Sequence, residues 1–462
     1  MPLVAGIDSS TQSVKVVIRE AETGAWVREA RAPHPDGTAV DPGAWWSALN
    51  SAMDGLLDGV EAAAVAGQQH GMVTLDEDGA YVRDALLWND TRSARDADDL
   101  VQELGGPQAW ADAVGSVPLA AFTVSKARWL ARSEPELAKR VAQMMLPHDY
   151  LTWELAGRPA EAVTDRGDAS GTGYWSPATG EYRHDLMKLA LGHVPQLPRV
   201  AAPAEIVGET ATGIALAPGT GDNMGAALAL GIGPGDVVIS LGTSGTAFAG
   251  SDAPTADPTG LVAGFADATG RFLPLVCTLN AARILNASAE MLGVDFDELA
   301  RMAMRAEPGA GGLTLLPYFD GERTPNLPDA RGSLHGISRG NLTPENIARA
   351  SIEGMLGGMA DAVDALVAVG VTPARIMLVG GAAANPAVSE VASTLFDVPI
   401  EVPPPGEYVA DGAARQAAWA WSGAAEPPAW QGLRSGETLR LDPKPHAAVR
   451  EAYARARTSL YG

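Results

Sequence analysis

One pattern occurs twice in this chain, half a chain apart. Val4-Ala5-Gly6-Ile7-Asp8, the turn Ser9-Ser10-Thr11-Gln12-Ser13 and Val14-Lys15-Val16-Val17-Ile18 read as strand, small polar turn and strand, hence a hairpin. Val237-Val238-Ile239-Ser240-Leu241, Gly242-Thr243-Ser244-Gly245 and Thr246-Ala247-Phe248 repeat it. With Thr11 set against Thr243, Ile7 meets Ile239, Ser10 meets Gly242 and Val16 meets Phe248. A hairpin that opens each half points to a duplicated fold. The 462 residues then divide near Gly231-Ile232-Gly233-Pro234-Gly235-Asp236, giving domains 1–232 and 233–462.

Other signals fill in this frame. Ala62 to Ala66 and Met72 to Leu75 flank Gly67-Gln68-Gln69-His70-Gly71 in the same strand–turn–strand style. Asp41-Pro42 starts a helix with Pro at its first position, carrying Trp45 and Trp46 as core residues. Apolar periodicity predicts further helices around 95–105, 124–132 and 135–143. The second half alternates helices (280–292, 344–369, 386–396) with strands (313–316, 376–379), the α/β signature. The segment after about Glu426 is Pro-rich, then helical.

Composition excludes several classes. With 46% hydrophobic and 19% charged residues the chain is globular. Its net charge of −23 repels phosphate backbones and anionic membranes, so neither nucleic acid nor membrane is expected as partner. Met1 to Gly6 does not read as a signal peptide, and no apolar run is long enough to span a bilayer. The single cysteine, Cys277, forms no intrachain disulfide; it fits a reducing cytoplasm and reads as a small buried apolar residue. The seven histidines form no HExxH pair, and there is no GxxxxGK[ST].

What remains suggests phosphate chemistry. Small residues in both hairpin turns let backbone N–H groups approach an anion, and Ser and Thr add donors. Asp8 at the end of the first strand suits Mg²⁺, which favours one or two carboxylates with phosphates and waters. Lys15, just past the turn, is either a phosphate ligand or a solvated strand residue. Val379-Gly380-Gly381 running into Ala382-Ala383-Ala384-Asn385-Pro386 is a strand–turn–helix unit on which a ribose or base can lie. Asp222, in Gly219-Thr220-Gly221-Asp222-Asn223, is either a general base for a hydroxyl attacking a phosphate or a helix N-cap. Gln68, Gln69 and His70 can donate to and accept from several hydroxyls, as a polyol requires.

Taken together these elements resemble the FGGY family of carbohydrate kinases, nearly end to end, and within it the members acting on xylulose. Gly6-Ile7-Asp8 with Thr11 and Lys15, Ala66-Gly67-Gln68-Gln69-His70-Gly71, Leu87-Trp88-Asn89-Asp90, Leu146-Pro147-His148-Asp149-Tyr150-Leu151, Gly221-Asp222-Asn223 and Ser240-Leu241-Gly242-Thr243-Ser244-Gly245 carry the resemblance. So do Leu316-Pro317-Tyr318 with Gly321-Glu322-Arg323-Thr324-Pro325, and Gly332 to Ile337 with Ala350-Ser351-Ile352-Glu353. Gln69 stands where many bacterial members have Met. The resemblance implies two actin-like (ribonuclease H-like) α/β domains with a cleft between them. It implies Asp222 as catalytic base and Asp8 positioning Mg²⁺-ATP. Thr11, Lys15 and Gly242, Thr243, Ser244 and Gly245 would meet the phosphates, with Gly380, Gly381 and Asn385 near the adenosine. Gln69, His70 and Asn223 would bind the sugar. The implied reaction is ATP-dependent phosphorylation of D-xylulose to D-xylulose 5-phosphate in the cytoplasm, with a homodimer plausible. A kinase for ribulose, gluconate or another polyol, or an actin-like ATPase, are the alternatives.

Overall fold

The structure is a computed structural model; it describes residues 1–430, 433 and 436–461. The chain forms two compact units. One comprises Met1–Ile232, Asp252–Leu273 and Gly406–Ser435; the other comprises Gly233–Ser251, Pro274–Pro405 and Gly436–Gly462. The segment that returns to the first unit carries the helix Tyr408–Ser422, while the last helix, Ala447–Tyr461, stays with the second. Among the described residues no helix is long and apolar enough to cross a membrane.

The two units share one sheet plan. In the first, Trp26–Pro33, Ser13–Glu20, Leu3–Ser9, Val60–Gly67 and Ala215–Leu216 lie side by side in that order. In the second, Phe272–Thr278, Gly245–Ala249, Asp236–Leu241, Arg375–Val379 and Ile400–Val402 follow the same order. In each, an antiparallel meander leads into parallel strands, and one more antiparallel strand, Gly208–Glu209 or Leu439–Leu441, follows at that edge. The repeated hairpin is thus the first sign of a repeated topology.

Alternation along the strands puts core on both faces of the first sheet. Ala5, Ile7, Val14, Val16, Ala63 and Val65 pack with Trp45 and Leu49 of the helix Pro42–Met53 and with Tyr150 and Leu151 of Pro147–Leu155. Val4, Ala62, Ala64 and Ala66 pack against Ala413, Ala414 and Ala417 of Tyr408–Ser422. This second face is made of small residues because the helix lies almost on the backbone. A Cβ at Gly6 would stand 1.9 Å from the Ala410 carbonyl oxygen, and one at Gly412 would stand 1.8 Å from that of Gly225. Gly225 belongs to the helix Asp222–Leu230, so one close contact seats the helix that begins at Asp222.

Three local expectations need correction. Ala62 to Leu75 is not a hairpin: Val60–Gly67 runs parallel to Leu3–Ser9, and Val73–Leu75 pairs with Gln143–Met145. An unbroken apolar run suits an interior strand buried on both faces, which is how 62–66 sits. The helix expected over 135–143 is only Pro135–Ala138, because Gln143–Met145 is claimed by that pairing. Cys277 is half-buried, not buried.

Candidate active site

Three strand ends converge in the first unit. Asp8 lies beside Ala66, and Ser9 beside Gly67, in the parallel pair. Thr220–Gly221 pairs with Ala66 and Gly67 as well. The carboxyl ends therefore bring Asp8, Gln68-Gln69-His70 and Asp222-Asn223 to one edge of the sheet, where open parallel sheets hold ligands.

Asp8 accepts from the Ser10 hydroxyl at 2.6 Å and stands opposite Lys15 in the hairpin. Burial pushes its carboxyl up to about 6, with Ser10 and Lys15 pulling the other way. A carboxylate with a hydroxyl beside it at a glycine- and serine-lined strand end fits the sparse ligand set of Mg²⁺. The Lys15 ammonium is ion-paired with Glu407. Thr11 is half-buried in the turn, where its hydroxyl accepts from the Trp88 indole at 2.9 Å.

Asp222 is the first residue of its helix; the cap itself is Gly221. Its Oδ1 accepts from the Asn223 backbone N–H at 2.7 Å and from Asn223 Nδ2 at 2.8 Å. Burial pushes its carboxyl up to about 7, Asn223 opposing and the charge of Asp8 reinforcing. A carboxylate that releases its proton near neutrality is suited to general-base work. Asn223 Nδ2 also donates to Gln69 Oε1 at 3.3 Å, which ties the acid to the amide loop. Gln69 Nε2 is buried with no hydrogen-bond partner among the described residues, leaving a donor for a ligand.

His70 has a φ of 65°, uncommon outside glycine. Its carbonyl accepts from Lys126 Nζ at 3.1 Å and Thr123 Oγ1 at 3.2 Å. Its Nδ1 lies 2.6 Å from the Gly171 carbonyl, so that nitrogen carries a proton and donates there. Phe122 and Phe265 pack on the ring, with centroids at 4.9 and 5.7 Å. Lys126 is fully buried and also donates to the Ala121 carbonyl; burial pushes it down to about 7, Asp90 opposing. Lys126, Thr123, Phe122 and Phe265 were not among the residues expected from the sequence. The one available signal was a lysine amid the apolar positions Val124, Ala127 and Leu130 of a helix.

The second unit repeats the strand-end geometry with Ser240 at the place of Asp8. Ser240 lies beside Val379 in the parallel pair, so the turn at Gly242-Thr243 and the turn at Gly380-Gly381 sit together. They border a cavity of about 460 Å³ that also meets Asn286, Phe296 and Asn385. Ser244 and Gly245 complete the hairpin turn. Gly380 has a φ of 91°, and a Cβ there would stand 2.8 Å from the Leu241 carbonyl, so no other residue fits. The Asn385 side chain caps the helix Pro386–Ser393, accepting from the Ala387 N–H at 3.0 Å. Buried Glu322 accepts from the Leu279 N–H at 2.6 Å and Asn280 Nδ2 at 3.0 Å. The same loop, at Ala282, donates to the Gly242 carbonyl at 2.9 Å.

The family models for the N-terminal and C-terminal domains of the FGGY family of carbohydrate kinases match residues 3–240 and 237–421. The chain belongs to the FGGY family of carbohydrate kinases. Among proteins similar to this FGGY chain is a xylulose kinase of Streptomyces coelicolor, 46% identical over 433 residues, covering 90% of this chain and 88% of that one. Another, from Haemophilus influenzae, is 30% identical, covering 90% of each chain. The crystal structure of xylulose kinase from Bifidobacterium adolescentis has a TM-score of 0.91 and 46% identity, covering 99% of both chains. As an FGGY kinase the chain is an α/β protein of two actin-like domains that uses ATP on a carbohydrate.

Proposed function

We propose that this kinase transfers the γ-phosphoryl group of ATP to the C5 hydroxyl of D-xylulose, giving D-xylulose 5-phosphate and ADP. The substrate follows from the xylulose kinases that the chain matches over most of its length. The roles within the site rest on one observation: Asn223 hydrogen-bonds both Asp222 and Gln69, so a base and a set of polyol ligands form one network.

Asp222 takes the proton of the C5 hydroxyl as that oxygen bonds to the γ-phosphorus and the bond to the β,γ-bridging oxygen breaks. ADP leaves with that oxygen. Gln69 Nε2 donates to a sugar oxygen, and the His70 ring meets a sugar hydroxyl. Thr11 and the turn Gly242 to Gly245 supply donors to the phosphates, and Gly380, Gly381 and Asn385 border the adenosine. Positioning and preorganised charge account for most of the acceleration in such transfers. Asp8 would hold Mg²⁺, which when bound neutralises charge on the phosphate oxygens. Use of ATP fits a cytoplasmic enzyme.

The test is ADP release by the purified protein with Mg²⁺-ATP. D-xylulose, D-ribulose, L-ribulose, L-xylulose, glycerol and gluconate are compared with a blank lacking sugar. D-xylulose should be preferred. Preference for another sugar would overturn the substrate and keep the kinase, and equal turnover in the blank would favour an ATPase.

A further inference from the structure

The roles above leave unused a charged cluster beneath the strand ends. His148, on the helix Pro147–Leu155, is fully buried. Its Nδ1 is 2.6 Å from Asp168 Oδ2, and its Nε2 is 3.2 Å from Asp149 Oδ1 and 3.9 Å from Asp165 Oδ1. All three aspartates are buried. The ring nitrogens lie on opposite edges of the imidazole, each facing a carboxylate. A metal ion could take only one of them. The 2.6 Å separation leaves no room for an ion that needs about 2 Å to each ligand. The geometry fits an imidazolium that donates from Nδ1 to Asp168. Burial works against that charge, yet Asp149, Asp168 and Asp165 outweigh it and push the ring up to about 9. The phenols Tyr174 and Tyr182, also near these aspartates, are pushed up by burial and stay neutral.

Two arms run from this ring to the reacting edge. In the first, Asp165 caps the short helix Arg166–Ala169 and accepts from the Thr220 hydroxyl at 2.7 Å. Thr220 is two residues before Asp222. In the second, the Asp168 carbonyl accepts from the Gly171 N–H at 2.9 Å, and the Gly171 carbonyl holds the His70 ring. His148 also touches both loops directly, through its ring at Gly219 and through its Cβ and backbone at Gly67. A Cβ at Gly219 would stand 2.7 Å from His148 Cδ2, and one at Gly67 would stand 3.0 Å from His148 Cβ. The loop before the base and the loop before the sugar ligands are glycine where they cross this side chain.

We propose that His148 is a positioning residue of the sugar site: a buried cation whose carboxylate partners set Asp222 through Asp165 and Thr220, and His70 through Asp168 and Gly171. The inference rests on the kinase reading, with Asp222 as base and His70 as sugar ligand.

His148→Asn can keep a hydrogen bond to Asp168 but removes the charge. Its kcat should fall about 100-fold, the cost of a misplaced reacting group. Its KM for xylulose should rise while its KM for ATP stays at the wild-type value. Thr220→Val cuts the first arm alone, so kcat should fall with both KM values kept. In ¹⁵N-histidine NMR of the wild-type enzyme, the His148 ring should carry both protons at about pH 7.5, where an ordinary histidine is neutral. Wild-type kinetics in a folded His148→Asn or a folded Thr220→Val, or a neutral His148 ring, would overturn the proposal. If His148→Asn does not fold, Thr220→Val and the spectrum decide. Asp222→Asn runs in parallel: if it stays active the kinase-site reading has failed, whereas if it is dead beside normal His148 and Thr220 variants only this inference has.

Discussion

Replacing Asp222 by Asn separates two consequences of burying a carboxylate at the reacting edge. Asn is isosteric, so its Oδ1 can go on accepting from the Asn223 amide and side chain, at 2.7 and 2.8 Å in the wild type. The second oxygen becomes an amide nitrogen, which cannot take a proton from the sugar. Loss of a general base costs about 10²–10⁴ in rate. At 1.36 kcal/mol per tenfold that is ~3–5 kcal/mol of transition-state stabilisation. The KM for ATP should hold, because the proposed adenosine cavity is built by other residues. Stability should move the opposite way. The Asp222 carboxyl is raised from the ordinary 3.8 to about 7, mainly by burial. Between those values the folded protein keeps a proton that the unfolded chain has lost. Stability therefore falls as pH rises through this window, and the penalty is complete above the folded value. The full penalty is at most about 4 kcal/mol, reduced because solvent partly reaches the side chain. Asn carries no such penalty. The variant should melt above the wild type at about pH 8, and the difference should shrink as pH falls and disappear only well below the ordinary carboxylate value of 3.8, where both states are protonated. Coupled ADP release and thermal melts across this pH range read both effects. A variant keeping more than about a tenth of wild-type kcat would refute the assignment of the base. One melting below the wild type at the higher pH would refute the argument from burial.

Other consequences can be checked with the same assays. In the wild type kcat/KM for the sugar should fall about tenfold per pH unit below about 7, since burial holds the Asp222 proton up to there; a flat acid limb down to the ordinary carboxylate range would contradict it. Lys126→Met removes a donor from the carbonyl of His70, whose positive φ then loses support, so the KM for xylulose should rise about tenfold with the KM for ATP unchanged; equal changes in both would point to general loosening. Gly412→Ala sets a methyl 1.8 Å from the Gly225 carbonyl oxygen. The two helices must part, at ~1–3 kcal/mol or more and several degrees of Tm, and an unchanged melt would mean the packing is looser than described. Glu322→Gln places an amide nitrogen against one of its donors, so destabilisation of ~1–3 kcal/mol with a raised KM for ATP is expected, because the loop from Leu279 to Ala282 bonds to Gly242.

The elements that were legible in the sequence are those set by local pattern. The hairpins at Leu3–Glu20 and Asp236–Ala249 show alternation and small polar turns, and the repeat between them announces the repeated sheet. Asp8, Gln69, His70 and Asp222 stand out because each is a polar residue on a glycine- or serine-lined loop after a strand. What was not legible depends on burial, a tertiary property. Lys126 looks like any helical lysine, and only the fold shows it sealed beneath His70. His148 was visible within a motif, but its partners come from residues 149, 165 and 168 and acquire meaning only when the helix and the loop are brought together. The segment 62–75 misleads because an apolar run followed by a polar turn fits a hairpin and an interior parallel strand equally well.

The most direct test of the central claim is where the phosphate ends up. D-xylulose labelled with ¹³C at C5 would be incubated with the enzyme and Mg²⁺-ATP and followed by ³¹P and ¹³C NMR. The account predicts a phosphomonoester coupled to the labelled C5, formed in step with ADP and absent with Asp222→Asn. Phosphate on C1, or ADP accumulating with inorganic phosphate and no sugar ester, would contradict it.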